Sequence, residues 1–268
     1  MKLKHLIAAA AIAVGGWGSA HATPVALELS LVIDVSGSVS AAEYNLQRQG
    51  YQNAFLDATV QSNILSFAGQ GGIVVNVIQF AADAQQAIGW TLLNDAASIN
   101  SFAATIGGMS RIAFAAGNTT DVQDGMALAI SNLNSNTYVG ARRVIDVSGD
   151  GHQNDDPACT VSAPSYNQAC AAVQAERDAA AAAGIRINGL AIEDGTYGAT
   201  GLTNWYNANV RTANGFVLTA SFETFEAAII EKIGREIIDV PEPGTVALVG
   251  LALAGLGLAR RRKEAQAA

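Results

Sequence analysis

Twelve residues from Leu29 to Ser40, reading Leu-Ser-Leu-Val-Ile-Asp-Val-Ser-Gly-Ser-Val-Ser, constrain this chain more than any other stretch. The apolar run Leu31-Val32-Ile33 reads as a buried strand. It ends on Asp34, Ser36 and Ser38, three oxygen-bearing side chains at every second position around Gly37. A glycine at a strand's carboxyl end lets the backbone turn so that one carboxylate and two hydroxyls converge. Hard cations favour that chemistry: Mg²⁺ takes oxygen ligands at roughly 2.0–2.1 Å in near-octahedral array, with only one or two carboxylates. A polar turn followed by a serine helix cap fits the same residues.

Both ends of the 268-residue chain read as targeting segments. Residues 1–22 carry Lys2 and Lys4, an apolar stretch from Leu6 to Val14, and Ala20-His21-Ala22 as a small-residue cleavage site. This predicts a signal peptide, with Thr23 as the first mature residue. At the other end, Pro241-Glu242-Pro243 precedes an uncharged segment from Val246 to Ala259 and the basic cluster Arg260-Arg261-Arg262-Lys263. The apolar segment is near the lower limit for a membrane helix, and the cluster behind it would stay cytoplasmic. Residues 240–268 closely resemble the PEP-CTERM sorting signal of bacterial surface proteins. The resemblance implies an inner-membrane intermediate held by the C-terminal helix. It also implies recognition at Pro241, Glu242 and Pro243 by an exosortase-type sorting enzyme and delivery to the cell surface or extracellular matrix. A plain membrane anchor is the alternative.

These ends mask the charge of the part between them. Setting aside their six basic and two acidic residues takes the formal charge from −8 to −12 for residues 23–240. So acidic an exported domain is a poor partner for a phosphate backbone, and nucleic acid is set aside.

From Leu27 to Asp239, strand and helix signals alternate. Strands are expected at 27–35, 72–80, 143–148, 185–192 and 216–219, with a hairpin partner for the second at 87–92. Helices are expected at 41–67, 94–106, 121–133, 165–183 and 222–238. That order predicts one α/β domain over residues 23–239: a three-layer, doubly wound, Rossmann-like sheet, mostly parallel with one antiparallel edge strand. Ligands of such sheets bind beyond the carboxyl ends of the strands, where strand order reverses. Two further strand-end features qualify. Val144-Ile145-Asp146-Val147-Ser148 runs into Gly149-Asp150-Gly151, and Ala116-Gly117-Asn118-Thr119-Thr120-Asp121 precedes a helix.

Asp-x-Ser-x-Ser, a threonine in a glycine-led loop and an Asp-Gly turn, in that order, resemble the von Willebrand factor type A (vWA) domain and its metal-ion-dependent adhesion site, the MIDAS. With the sorting signal, the whole resembles a bacterial vWA-like protein of the DUF1194 type. The resemblance implies metal ligands at Asp34, Ser36, Ser38, Thr120 and Asp150, with Thr119 as the alternative threonine. Asp124-Gly125-Met126 continues the loop in the manner of family members and favours Thr120. Ser36, Ser38 and the threonine would bind the metal directly, and Asp34 and Asp150 mainly through water. Mg²⁺ is the expected ion, with Mn²⁺ or Ca²⁺ as substitutes. A metal with few carboxylate ligands stays electrophilic enough to accept an acidic side chain from a protein ligand.

Cys159 and Cys170, the only cysteines of an exported chain, are expected to form one disulfide. Their loop also carries His152, Asn154, Asp155 and Asp156, and Glu193 and Asp194 end the next strand; these read as a solvated acidic rim. Asp146 lies within a strand expected to be buried, where carboxylates are depleted. Enzymatic activity is not expected. Ser36 lies in no Gly-x-Ser-x-Gly elbow, and His152 is the only histidine left once His5 and His21 depart with the signal peptide. The readings carried forward are a metal-dependent adhesion or protein-binding module, a structural envelope or matrix protein whose metal braces the fold, and, last, a metal-assisted hydrolase.

Overall fold

The computed structural model describes residues 22–238. The expected signal peptide, save Ala22, and the Pro-Glu-Pro tail with its apolar segment lie outside them. Six strands form one sheet: β1 (Thr23–Asp34), β2 (Ile73–Phe80), β3 (Ala84–Leu93), β4 (Tyr138–Gly149), β5 (Ile185–Ile192) and β6 (Val217–Ala220), in spatial order β3-β2-β1-β4-β5-β6. All neighbours are parallel except β2 and β3, so the antiparallel hairpin strand takes one edge as expected. Strand order reverses between β1 and β4. Their register sets Ile33 beside Ser148, which brings the ends carrying Asp34 and Asp150 together.

Seven helices cover the two faces of the sheet. On one side lie α1 (Ala41–Leu56), α2 (Ala58–Ser66), α3 (Ala96–Gly107) and α7 (Phe225–Ile238), which bury Tyr51, Phe55, Phe102 and Phe225. On the other lie α4 (Val122–Ser135), α5 (Ala171–Ala182) and α6 (Gly201–Asn209), which bury Met126, Val173 and Trp205. The unbroken burial of β1 from Val25 onward and of all of β2 follows from cover on both faces. Among the described residues, no helix is long and apolar enough to cross a membrane.

Three elements differ from expectation for identifiable reasons. The single helix expected over 41–67 is two helices. Asp57 leaves helical geometry and its carboxylate accepts from Thr59 N at 2.9 Å and Val60 N at 3.0 Å, so it caps a new helix instead of continuing the old one. The helix expected from Ser165 begins only at Ala171. The preceding segment is held as a loop by the Cys159–Cys170 disulfide and by Gln168, which bonds backbone atoms of Ser162. Helix α6 was not expected at all, because Gly-Leu-Thr-Asn-Trp-Tyr-Asn-Ala-Asn is poor in helix formers. Burial of Trp205 and Tyr206 and the bond from Asn209 Nδ2 to the Trp205 carbonyl offset that deficit.

The disulfide makes a first prediction. It closes a short loop in a domain with no other cysteine cross-link, so Cys159→Ser with Cys170→Ser is expected to lower stability by about 2–3 kcal/mol. Denaturant unfolding of oxidised wild type against the double variant measures it.

Candidate metal centre

The residues singled out at three strand and helix ends meet in one cluster. At the end of β1, Asp34 Oδ1 accepts from Ser36 N at 2.8 Å, which folds the turn back on itself. Ser36 Oγ lies 3.2 Å from Ser38 Oγ, and Ser38 Oγ donates to Asp150 Oδ1 at 2.6 Å. Thr120 Oγ1 donates to Ser36 Oγ at 3.0 Å from the loop before α4. Three hydroxyls are thus chained to the Asp150 carboxylate, while the Asp34 carboxylate holds the backbone of the same turn. Asp34, Ser36, Thr120 and Asp150 are buried, whereas Ser38 is exposed and forms the mouth of the cluster. Thr119 does not join it: its hydroxyl points outward and donates to Asp155 Oδ1 at 2.6 Å.

Close backbone approach makes the convergence possible. Gly37 N donates to the Asn118 carbonyl at 2.8 Å, and a Cβ at Gly37 would stand 3.1 Å from that oxygen. A Cβ at Gly149 would lie 2.7 Å from Asp34 Oδ2 and 2.8 Å from Tyr206 Oη, so only glycine lets the end of β4 pass between them. Asn154 aligns the threonine, accepting from Thr120 N at 2.8 Å.

Arg111 was missed at the level of sequence. Its guanidinium donates to the Val35 carbonyl at 2.6 Å and the Ser36 carbonyl at 2.7 Å, pinning the turn that bears both serines. The one available signal was its isolation, since it is the only lysine or arginine between Arg48 and Arg142.

The other polar residues of this end do different work. Glu193 Oε1 accepts from Thr203 N and Thr203 Oγ1, both at 2.9 Å, which ties β5 to α6. Asp194 closes a turn on Thr196 N. His152 Nδ1 lies 2.7 Å from Tyr197 Oη, its ring stacks edge-on against Tyr197 and Trp205, and burial lowers its pKa.

A divalent cation fits the donor set. Asp34 Oδ2 and Asp150 Oδ2 are buried without a hydrogen-bond partner, a costly state for carboxylate oxygens unless a cation compensates it. All donors are oxygens, as hard cations prefer. Among the described residues no three of His, Cys, Asp and Glu gather as a metal site.

The electrostatics agree. Burial, then the charge of Asp150, push the Asp34 carboxyl from its ordinary 3.8 up to about 7; burial chiefly pushes Asp150 to about 6. A carboxyl whose folded pKa is raised binds its proton more tightly in the fold. Its stabilising contribution is complete below about pH 4 and is lost as pH rises through the folded value. With chelator present, the thermal midpoint is therefore expected to fall between pH 4 and pH 7. An Asp34→Asn variant is expected to show a flatter profile by calorimetry.

Comparison with known proteins places the chain in a family and a fold. Residues 24–241 match the family described as "Protein of unknown function (DUF1194)". The chain belongs to that family. Residues 239–263 of this DUF1194 protein match the PEP-CTERM protein-sorting motif, which marks it as an exported protein sorted to the cell surface. No curated protein sequence matches it. Solved structures similar to it are vWA domains. Proximal thread matrix protein 1 from the mussel byssus, with a zinc-occupied MIDAS motif, is 18% identical with a TM-score of 0.53; the match covers 79% of this chain and 46% of that one. The vWF domain of the type V pili tip protein Mfa5 from Porphyromonas gingivalis is 13% identical with a TM-score of 0.55, covering 82% and 98%. A von Willebrand factor type A protein from Catenulispora acidiphila is 12% identical with a TM-score of 0.53, covering 80% and 43%. The DUF1194 protein thus spans less than half the length of the byssus protein, and the likeness is one of fold: a vWA-type sheet flanked by helices.

Proposed function

We propose that this DUF1194 protein is a surface-sorted, divalent-metal-dependent module that binds a protein ligand. Asp34, Ser36, Ser38, Thr120 and Asp150 hold the ion, with Mg²⁺ first and Mn²⁺ or Ca²⁺ as substitutes. The observation that carries the reading is the pair of buried, unpartnered carboxylate oxygens on Asp34 and Asp150, two residues whose other oxygens bond the serine turn and its chain of three hydroxyls. A bound divalent cation supplies an electrophilic centre at the exposed mouth, suited to an acidic side chain.

The chain's own residues define the rest. Arg111 and Asn118 hold the serine turn, and Asn154 holds Thr120, so the hydroxyl oxygens are positioned before any ligand arrives. The acidic residues of the loop after Asp150 are engaged elsewhere: Asp155 with Thr119, and Asp156 with Ala158 N at 2.8 Å. This favours capture of an outside carboxylate over a site capped from within.

Residues 1–22 direct export and are then removed, and an exosortase-type enzyme acts at Pro241, Glu242 and Pro243 while the C-terminal apolar segment holds the chain in the inner membrane. A catalytic role has less support, since the half-buried His152 pairs with Tyr197.

Titration calorimetry of the purified protein with Mg²⁺, Mn²⁺ and Ca²⁺ tests the reading. Saturable binding that disappears in Ser36→Ala/Ser38→Ala is the expected result. Heats that are unsaturable for all three ions, or unchanged in the double variant, would overturn it.

A further inference from the structure

On the face of the sheet covered by α7, a second group of ionisable side chains is sealed from water. Asp146 of β4 lies in direct contact with Lys232 Nζ of α7. Lys232 Nζ also donates to Glu236 Oε1 at 2.7 Å, one helical turn on, and Asn188 Nδ2 of β5 donates to that oxygen at 2.8 Å. Asp146, Lys232 and Asn188 are fully buried and Glu236 is 1% exposed. Asp146 Oδ2 and Glu236 Oε2 accept no hydrogen bond. The Phe216 ring centroid stands 5.8 Å from Nζ, and the nearby Arg142 is turned to the carbonyls of Glu236 and Ile237.

Two carboxyl groups share one amine here, away from solvent. Burial and the charge of Asp146 push Glu236 up to about 7, so Glu236 tends to keep its proton near neutrality. An amine, a carboxyl carbon and a neutral acid held together in a dry site are the components of amide condensation. Fixed proximity supplies the entropy such a reaction lacks in water, and a positioned acid supplies proton transfer.

We propose that Lys232 Nζ and Asp146 Cγ join in an intramolecular isopeptide bond, with Glu236 as the proton carrier. The C–N bond forms as Nζ attacks Cγ, and one Asp146 oxygen leaves as water. Glu236 passes the two protons that Nζ gives up to the departing oxygen and ends protonated as it began. An ammonium and a carboxylate thus become one amide and one water, with no oxidant or co-reactant. The product replaces a buried ion pair with a neutral group and removes the desolvation cost of both charges.

The location gives the bond a use. Helix α7 is the last element before the sorting motif that begins at residue 239, so tension on a surface-tethered chain enters the fold through it. Strand β4 lies inside the sheet, paired on both sides. A covalent link between them prevents α7 from peeling away.

Mass spectrometry of the purified full chain, reduced, denatured and digested with trypsin, tests the proposal. The expected product is a branched species joining the 144–177 peptide, which carries Asp146, to a 212–235 peptide uncut at Lys232, one water lighter than the two together. Asp146→Ala, Lys232→Arg and Glu236→Gln are each expected to yield linear peptides only. The wild-type digest decides even if every variant misfolds: linear peptides with cleavage after Lys232 would overturn the bond. So would loss of water confined to the Asp146 peptide as a cyclic imide. A full yield of the branched species in Glu236→Gln would overturn the role of Glu236.

Discussion

Replacing Asp34 by Asn is expected to weaken divalent-cation binding by about 10- to 100-fold while leaving a folded domain. The substitution keeps the side-chain shape and one oxygen to accept from Ser36 N, so the turn survives. What it removes is the negative charge of a fully buried carboxylate whose second oxygen has no partner. That charge is unfavourable without a cation and favourable with one, so the two states respond in opposite directions. At pH 7 with chelator, Asp34→Asn is expected to melt at or above the wild-type temperature; with saturating Mg²⁺ it is expected to melt below it. Calorimetric titration gives the affinity and paired melts give the crossover. Equal affinity in wild type and variant would show that Asp34 has no part in holding the ion.

A comparably large effect is expected under α7, where Asp146 meets Lys232. Lys232→Met strands Asp146 and Glu236 in a site with no solvent and no compensating charge, and is expected to cost about 3–5 kcal/mol at pH 7. Any cross-link through Lys232 is lost as well, which acts in the same direction. The pH dependence separates buried charge from packing. Glu236 has a raised pKa, so its stabilising contribution is complete below about pH 4.5 and is lost as pH rises through about 7. Removing the neighbouring cation steepens that loss, so the gap between variant and wild type is expected to narrow as pH falls from 7 towards 5. Denaturant unfolding at both pH values measures the gap. A second variant that replaces all three charged residues by apolar ones of similar size is expected to recover most of the stability.

The residues of the clustered strand ends were legible because each announces itself locally. Asp34, Ser36 and Ser38 alternate around a glycine at the end of an apolar run. Thr120 sits beside a glycine-led loop, and Asp150 stands between Gly149 and Gly151. Every one lies where a strand or helix begins or ends, and chain-local patterns report such places well. The edge hairpin was legible for the same reason. Helix α6 was not, because its residues favour loops and only the burial of Trp205 and Tyr206 repays the helical conformation. The break at Asp57 turned on one side chain choosing to cap rather than continue a helix.

The sequence by itself therefore determined the alternation of elements, the doubly wound class and the oxygen-rich strand ends, since these follow from periodicity and turn chemistry over a few residues. Only the tertiary structure placed Thr120 rather than Thr119 against Ser36, brought Arg111 onto the serine turn, and set Asp146 against Lys232. Each of those pairings joins residues far apart in the chain. Whether a buried carboxylate is stranded or matched depends on which distant cation the packing delivers to it.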